Sequence, residues 1–544
     1  MDKKLTGAQL IQNFISTYDI KTYDIKYVFG NPGTTETTFL SALADTDVTY
    51  VLSVHESSAV GIAAGYALIT GKPSIVNLHT YPGLANGMFN MRNALLSGVP
   101  LFVINGTQDS RILIHNPPLG APNTQLAETA SKYQYEVRSI DELTVALQRC
   151  YVQAILQPPG PVFLSIPMDF MRHETDKVTF KRTVIYDDSV SASVVKIASA
   201  LSEVPSGKLM IVADYAVGWD KSVGAISELA TALNADIYQA PFHVQGVVDT
   251  LHPNYKGQLP STTGGIRKIL NGYHTMLLVG EKLDAFTYSD TYAMPPELKI
   301  IQISAATNQL GFDWPVDIAV VGDIQATLSG INKALGFDIN AAKIAYKKPD
   351  VRALDNAYPS TGEHASNALV LGILKKLDCD THVITEGSSE DPMVQTMANS
   401  LGIRNVHFNP RGGGLGWAMP LATGIALGTN KHAVCFVGDG GSMFSIHSIW
   451  TAAAYKIPVI FVCFINHEYH LLKELWVQQL GGSIEHTKFV GMDISDPNLD
   501  MEAIARGFGA QVSQINVPDD VDKVLADAFN HQGPSFILIH REVD

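Results

Sequence analysis

The sequence predicts an α/β protein made of three open, doubly wound domains with mainly parallel sheets, over residues 1–180, 190–340 and 360–544. Strand-length apolar runs alternate with helical patterns along the chain, the signature of repeated strand, helix, parallel strand units. Two polar connectors, MRHETDKVTFKRTVIYDDSVSAS and NAAKIAYKKPDVRALDNAYPSTGEHASN, divide that pattern into three. At 544 residues the chain is too long for one core, and 46% apolar composition is ample for several.

In the first segment the runs IKYVFGNPG, VTYVLSVHE, PSIVNLHT, PLFVINGTQ and GPVFLSIP read as strands, with a helix over residues 56–70 between the second and third. KLMIVADYA, HTMLLVGEKLDAF, LKIIQISA and DIAVVGDI supply the second segment; HVITEGSS, RNVHFN, HAVCFVGDGG, PVIFVCFIN and PSFILIHREV supply the third. No short-period repeat or low-complexity tract interrupts them.

A net charge of −15 argues against nucleic acid and against anionic membrane surfaces as partners. The apolar runs are strand-length, too short for a membrane span, and MDKKLTGAQLIQNF lacks the apolar core of a secretory signal. Cys150, Cys379, Cys435 and Cys463 are scattered without metal spacing, so they read as small hydrophobes in a reducing compartment, by default the cytoplasm.

The chemistry concentrates in VCFVGDGGSMFSIHSIWTAAAYKIPVIFVCFINHEY. An apolar strand ends at Gly438, Asp439 and Gly440, a helix follows, and a second apolar strand ends at Asn466, 27 positions after Asp439. A carboxylate and an amide at the mouths of neighbouring parallel strands converge on a hard cation, Mg²⁺ or Ca²⁺, holding a diphosphate. The glycines admit the phosphates closely, and a helix N-terminus offers them free N–H groups.

This unit resembles the diphosphate-binding motif of thiamine diphosphate enzymes, and the three-domain layout resembles their decarboxylase and carboligase family. Ile465 departs from the motif, standing where the family has an additional Asn. The resemblance implies pyrimidine-binding, middle and diphosphate-binding domains in that order, and metal ligands Asp439, Asn466 and the carbonyl of Glu468. It places Gly438, Gly440, Gly441, Ser442, Ser388 and Ser389 around the diphosphate, Gly413 against the aminopyrimidine and Leu415 as the wedge that bends the cofactor. In VLSVHESSAVGIAAGYA, Glu56 matches the carboxyl that activates the cofactor through its pyrimidine N1′. It further implies a homo-oligomer, a tetramer by the habit of relatives, with sites shared between subunits.

FGNPGTTETTFL, VNLHTYPGLANGMFNMRNA, GPVFLSIPMDF and SIWTAAAYKIPVIFV resemble the benzoylformate decarboxylase group within that family. By that resemblance Thr34 binds a substrate carboxylate, and His79 and His252 are catalytic histidines. His115 and Asn116 occupy the paired-histidine loop of pyruvate decarboxylases, while Leu471 and Leu475 reshape the substrate pocket. Leu472 replaces a catalytic glutamate of the pyruvate enzymes, and Glu390 and Asp391 replace neutral hydroxyl residues. The expected activity is non-oxidative decarboxylation of a 2-oxo acid with an apolar or aromatic side chain to an aldehyde. The alternative is an acetolactate synthase-like carboligase. FGNPGTTE is not the glycine pattern of a nicotinamide-binding turn, which sets a dehydrogenase aside.

Overall fold

A computed structural model describes residues 4–18, 25–180, 183, 185, 189–289, 291–337, 344–361, 365–408 and 411–541. Three six-stranded parallel sheets follow one another along the chain, as the alternating pattern predicts. The first contains β1 (Tyr27–Asn31), β2 (Thr49–Leu52), β3 (Ser74–His79), β4 (Leu101–Thr107), β5 (Tyr133–Glu136) and β6 (Val162–Pro167), in the order β2-β1-β3-β4-β6-β5. The middle sheet has β7 (Leu209–Ala213), β8 (Asp236–Gln239), β9 (Tyr255–Gln258), β10 (Thr275–Val279), β11 (Lys299–Ser304) and β12 (Ile318–Val321), ordered β9-β8-β7-β10-β11-β12. The last has β13 (His382–Glu386), β14 (Asn405–Phe408), β15 (Ala433–Gly438), β16 (Val459–Ile465), β17 (Gln511–Gln514) and β18 (Pro534–His540), ordered β14-β13-β15-β16-β18-β17.

Central strands are buried on both faces, which is why they read as continuous apolar runs: every residue of β4, β6 and β16 is buried. Sequence reading missed β5, β8, β9 and β17. Three of these are edge strands, and YQYE, YKGQ and QVSQ carry mostly polar or half-exposed residues because helices cover an edge less completely.

The outer two domains meet through the helices Glu56–Thr70 and Ala418–Thr429. Both are apolar nearly all round, as a helix buried between two layers must be. Their backbones touch: a Cβ added at Gly65 would lie 2.1 Å from the Leu421 carbonyl oxygen, and one at Gly424 would lie 1.9 Å from that of Ile62. Only glycine permits this approach.

The middle domain is tied in by polar groups. Arg411 forks onto Asp284 (2.5 and 2.7 Å) and donates to the Leu96 carbonyl (2.9 Å), linking all three domains. His407 donates from Nδ1 to the Val244 carbonyl (2.5 Å) and faces His382 across 2.8 Å, while Gln395 meets His243 (3.0 Å). Burial lowers the pKa of His243 and His382 to about 4 and that of His407 to about 3. The middle order is that of dinucleotide-binding sheets, whose phosphates sit at the strand reversal. Here the Asp214 carboxylate fills that place and accepts the N–H groups of Ala216, Glu281 and Lys282 at 2.7–2.8 Å. Among the described residues no helix is long and apolar enough to cross a membrane.

Candidate active site

Ligands of open parallel sheets bind beyond the carboxyl ends of the strands. In the first sheet that edge carries Glu56, His79 and a glutamate that sequence reading passed over. Glu56 begins the helix after β2 and is half-buried. Asn31, at the end of β1, donates to its Oε1 (3.3 Å), and Asn86 donates to its Oε2 (3.0 Å), so two amides orient the carboxyl. His55 caps the same helix by accepting the Ser57 N–H at 3.2 Å.

His79 ends β3, with Glu36 against it. Glu36 closes the turn Thr34–Glu36 after β1 and is 1% exposed. Its Oε2 accepts the Gly33 N–H (2.8 Å) and lies 2.9 Å from His79 Nδ1; its Oε1 accepts the Thr35 hydroxyl at 2.5 Å. Thr34 itself is exposed and gives only its carbonyl, to Thr37. Glu56 and His79 share one rim, for a Cβ added at Gly83 would lie 3.6 Å from Glu56 Cγ and 3.5 Å from His79 Cβ.

In the last sheet Asp439 follows β15 directly and is 1% exposed. Its carboxylate accepts N–H groups from Gly440 (2.7 Å), Asn466 (3.2 Å) and His467 (2.7 Å), drawing the loop after β16 over the mouth of β15. Asn466 Oδ1 accepts the Glu468 N–H (3.2 Å), so Asp439, Asn466 and Glu468 form one compact turn. Among the described residues no three His, Cys, Asp or Glu side chains gather into a metal cage. One carboxylate, one amide and one backbone carbonyl are hard oxygen donors, and they fit an ion that takes its other oxygens from a diphosphate.

The helix expected directly after Gly440 is divided. Asp439–Ser442 makes one turn, and the longer helix begins only at Ser448. The Ser442 hydroxyl closes the first turn on the Asp439 carbonyl (2.7 Å), Gly441 packs near the Glu386 carbonyl, and Gly440 clears the Tyr469 ring.

Gly413 has φ +65°, a left-handed conformation natural to glycine, with open space where a Cβ would stand. Its loop is gripped from two sides. Asn93 donates to the Gly414 carbonyl (3.0 Å) and Asn90 to that of Gly416 (3.2 Å), while Glu386 accepts the N–H groups of Trp417 (3.2 Å) and Ala418 (3.3 Å). Burial raises Glu386 to about 8 even against those hydrogen bonds. Leu415 is half-buried in that loop.

Ser389 donates to Glu390 (3.0 Å), and the Ser388 side chain lies outside the described residues. Glu390 and Asp391 turn inward onto protein: Glu390 pairs with Arg541 (3.5 Å), and Asp391 accepts the Gly387 N–H (2.6 Å). Leu471 and Leu475 lie on the helix His470–Leu480, Leu471 exposed and Leu475 half-buried, while Lys473 between them is tied to Glu468 and Asp493.

His252 is fully buried within the middle domain. Its Nε2 faces Thr231 Oγ1 (3.0 Å) and the Ser227 carbonyl (3.1 Å), and its Nδ1 accepts the Asn254 N–H (3.1 Å). Both nitrogens are occupied, which corrects the expectation of a catalytic role: the ring pins a turn. His115 and Asn116 stand exposed on the loop after β4, and among the described residues no hydrogen bond or ion pair to His79 involves them. Glu56 and Asp439 lie on different sheets, with no bond between them among the described residues. Asn31, Asn86, Glu36 and Glu386 were not singled out from sequence; a carboxylate two positions after Thr34 in the same turn was the available signal for Glu36.

Comparisons with known proteins agree with this layout. Residues 17–125 match the thiamine pyrophosphate enzyme N-terminal TPP binding domain, residues 195–331 the central domain, and residues 391–539 the C-terminal TPP binding domain. The chain is 27% identical over 538 residues to benzoylformate decarboxylase of Pseudomonas aeruginosa, spanning 96% of this chain and 98% of that protein. It is 23% identical to the acetolactate synthase isozyme 1 large subunit of Escherichia coli, over 100% and 94% of the two chains. The crystal structure of benzoylformate decarboxylase from Polynucleobacter necessarius superposes with a TM-score of 0.87 at 25% identity, covering 99% of each chain. The thiamine diphosphate-dependent 4-hydroxybenzoylformate decarboxylase of Rhodococcus jostii has the same fold, with a TM-score of 0.86 over 99% of this chain and 100% of that one. With all three of its domains in order, the chain belongs to the thiamine pyrophosphate enzyme family, in its decarboxylase and carboligase branch.

Proposed function

We propose that this enzyme decarboxylates a 2-oxo acid with an apolar or aromatic side chain to the aldehyde, using thiamine diphosphate and Mg²⁺ in a homo-oligomer. The observation that carries the reading is the shared rim of the first sheet, where an amide-held carboxyl, Glu56, stands beside a carboxylate-backed histidine, His79. Bound thiamine diphosphate supplies the electron sink for the pair of electrons left when CO₂ departs. Glu56 would share a proton with the pyrimidine N1′ when the cofactor is bound, and Asn31 and Asn86 keep its carboxyl aimed. Asp439, Asn466 and the Glu468 carbonyl would hold the ion, Ser389 and the Gly438–Ser442 turn would take the diphosphate, and Gly413 and Leu415 would shape the space for the rings.

Thr34 binds the substrate carboxylate and His79 moves a proton at the reacting carbon. Leu471, Leu472 and Leu475 line an apolar wall. Lys473 and Arg541 are neutralised by Glu468, Asp493 and Glu390, so neither is offered to a second carboxylate on the substrate. Glu56 and Asp439 sit on separate sheets, and in the arrangement that the resemblance implies they serve one site from two copies of the chain, within a tetramer by the habit of relatives.

The test is CO₂ release from benzoylformate, pyruvate and branched 2-oxo acids with thiamine diphosphate and Mg²⁺ added. Aldehyde from benzoylformate is the expected product; no CO₂ from any of them sinks the reading. A carboligase is the second reading, favoured by the whole-chain similarity to acetolactate synthase. A 2-hydroxyketone or 2-hydroxy-2-oxo acid as main product selects it.

A further inference from the structure

The contact between Glu36 and His79 joins two strand ends that lie 43 positions apart in sequence. β1 and β3 are neighbours in the sheet and β4 follows β3, so the turn after β1, the end of β3 and the end of β4 meet at one edge. Space there is arranged around the pair. A Cβ added at Gly33 would lie 2.3 Å from His79 Cγ and Nδ1, and one at Gly106 would lie 2.0 Å from Glu36 Oε1. Larger residues at either glycine would displace the ring or the carboxyl.

The hydrogen-bond directions point to one tautomer. Glu36 accepts from the Gly33 N–H at Oε2 and from the Thr35 hydroxyl at Oε1, so it stands as an acceptor. His79 Nδ1 lies 2.9 Å from Glu36 Oε2 and 3.1 Å from Thr35 Oγ1, whose hydrogen goes to Glu36, so an Nδ1–H is the donor that serves both oxygens. That leaves the lone pair on Nε2, which makes no hydrogen bond among the described residues, on a ring that is partly open to solvent. Fixing one imidazole nitrogen with a carboxylate is how a histidine is oriented to pass a proton at the other.

We propose that Glu36 is the positioning residue of this site, holding His79 as its Nδ1–H form so that Nε2 alone exchanges a proton with the reacting substrate. In that exchange Nε2–H of the doubly protonated ring gives its proton to the reacting carbon, the N–H bond breaking as the C–H bond forms. The ring returns to its neutral Nδ1–H state with its hydrogen bond to Glu36 kept. The proposal rests on the decarboxylase reading for the identity of the substrate, but the Glu36–His79 pair itself does not. Among the described residues the carboxyls beside the ring are Glu36, in contact with it, and Glu56 on the neighbouring helix start, while Tyr50 lies behind Gly30 with its hydroxyl on Asn77. Burial, then Glu36, keep the Tyr50 phenol protonated far above its usual range.

The experiment has two arms on the full-length protein. In the first, ¹⁵N-histidine labelling reads the His79 tautomer in the wild type without any turnover. An Nδ1–H ring is expected, and an Nε2–H ring overturns the proposal. The second compares wild type, Glu36→Gln and Glu36→Asp, with thermal unfolding monitored. Glu36→Gln is expected to lower kcat by about 10²- to 10³-fold, leave KM and thiamine diphosphate affinity within a few-fold, and release the His79 ring from its single Nδ1–H form in the ¹⁵N spectrum. Glu36→Asp should restore part of the rate and the wild-type tautomer. Wild-type kcat in a folded Glu36→Gln, or an equal loss in both variants with an unchanged tautomer, overturns it. Should the wild type decarboxylate nothing, the decarboxylase reading fails while the tautomer measurement still decides this one.

Discussion

The first and last domains share one strand order, second-first-third-fourth-sixth-fifth, whereas the middle domain has third-second-first-fourth-fifth-sixth. The shared order places equivalent features at equivalent strand ends. The turn after the first strand ends in a buried glutamate in both, Glu36 in one and Glu390 in the other. The crossover from second to third strand is Glu56–Thr70 in one and Ala418–Thr429 in the other, and these two helices pack on each other through Gly65 and Gly424. At the end of the third strand stand His79 and Asp439. The contents then diverge: Glu36 backs a histidine, Glu390 neutralises Arg541, and one edge carries carboxyls and an imidazole while the other carries carboxylate, amide and carbonyl oxygens. One scaffold can be used twice because function sits in the loops.

The division of labour breaks most visibly at Glu56. Glu56→Gln should reduce kcat by about 10²- to 10⁴-fold while circular dichroism and melting temperature stay at wild-type values; a variant with full turnover removes the first sheet from the activating role. At the opposite edge, Asp439→Asn should weaken binding of thiamine diphosphate with Mg²⁺ by about tenfold or more, measured by calorimetry. Chelation should likewise abolish activity, and added Mg²⁺ should restore it. Undiminished cofactor affinity would move the ion site elsewhere.

A smaller effect tests the junction. Gly424→Ala forces a Cβ into the Ile62 carbonyl and should cost about 1–3 kcal/mol of stability by overpacking. Gly224→Ala, in a middle-domain helix with open space at its Cβ, should stabilise by about 0.4–1 kcal/mol. Denaturant unfolding of both separates a packed junction from an ordinary helix.

The junction of the middle and last domains should respond to acid. His243, His382 and His407 have folded pKa values of about 4, 4 and 3, below their ordinary 6.5. Between those limits the unfolded chain binds more protons, so stability present above pH 6.5 is lost as pH falls toward 4. Melting temperature should drop across that range, and His407→Asn should flatten the drop; an unchanged slope would detach this contact from acid stability.

Much of this was legible in the linear text. Buried central strands announce themselves as apolar runs, and a carboxylate and an amide at the ends of β15 and β16 are close because adjacent parallel strands bring their ends together. Glu36 was hidden, for in FGNPGTTETTFL it resembles a carboxylate at a helix start, and only the pairing of β1 with β3 turns it toward His79. His252 misled for the converse reason. TLHPNYKG is a plausible loop in sequence, yet the middle-domain core closes over it.

Sequence alone determined the three α/β units and their order, because strand periodicity and turn chemistry are local, and its resemblance to a family named the residues expected at a diphosphate, a cation and an activating carboxyl. Tertiary structure decided which carboxylate meets which histidine, which charges are neutralised within the protein, and that two helices touch at glycine. Those outcomes depend on strand order and on the space left between layers, which no local pattern encodes.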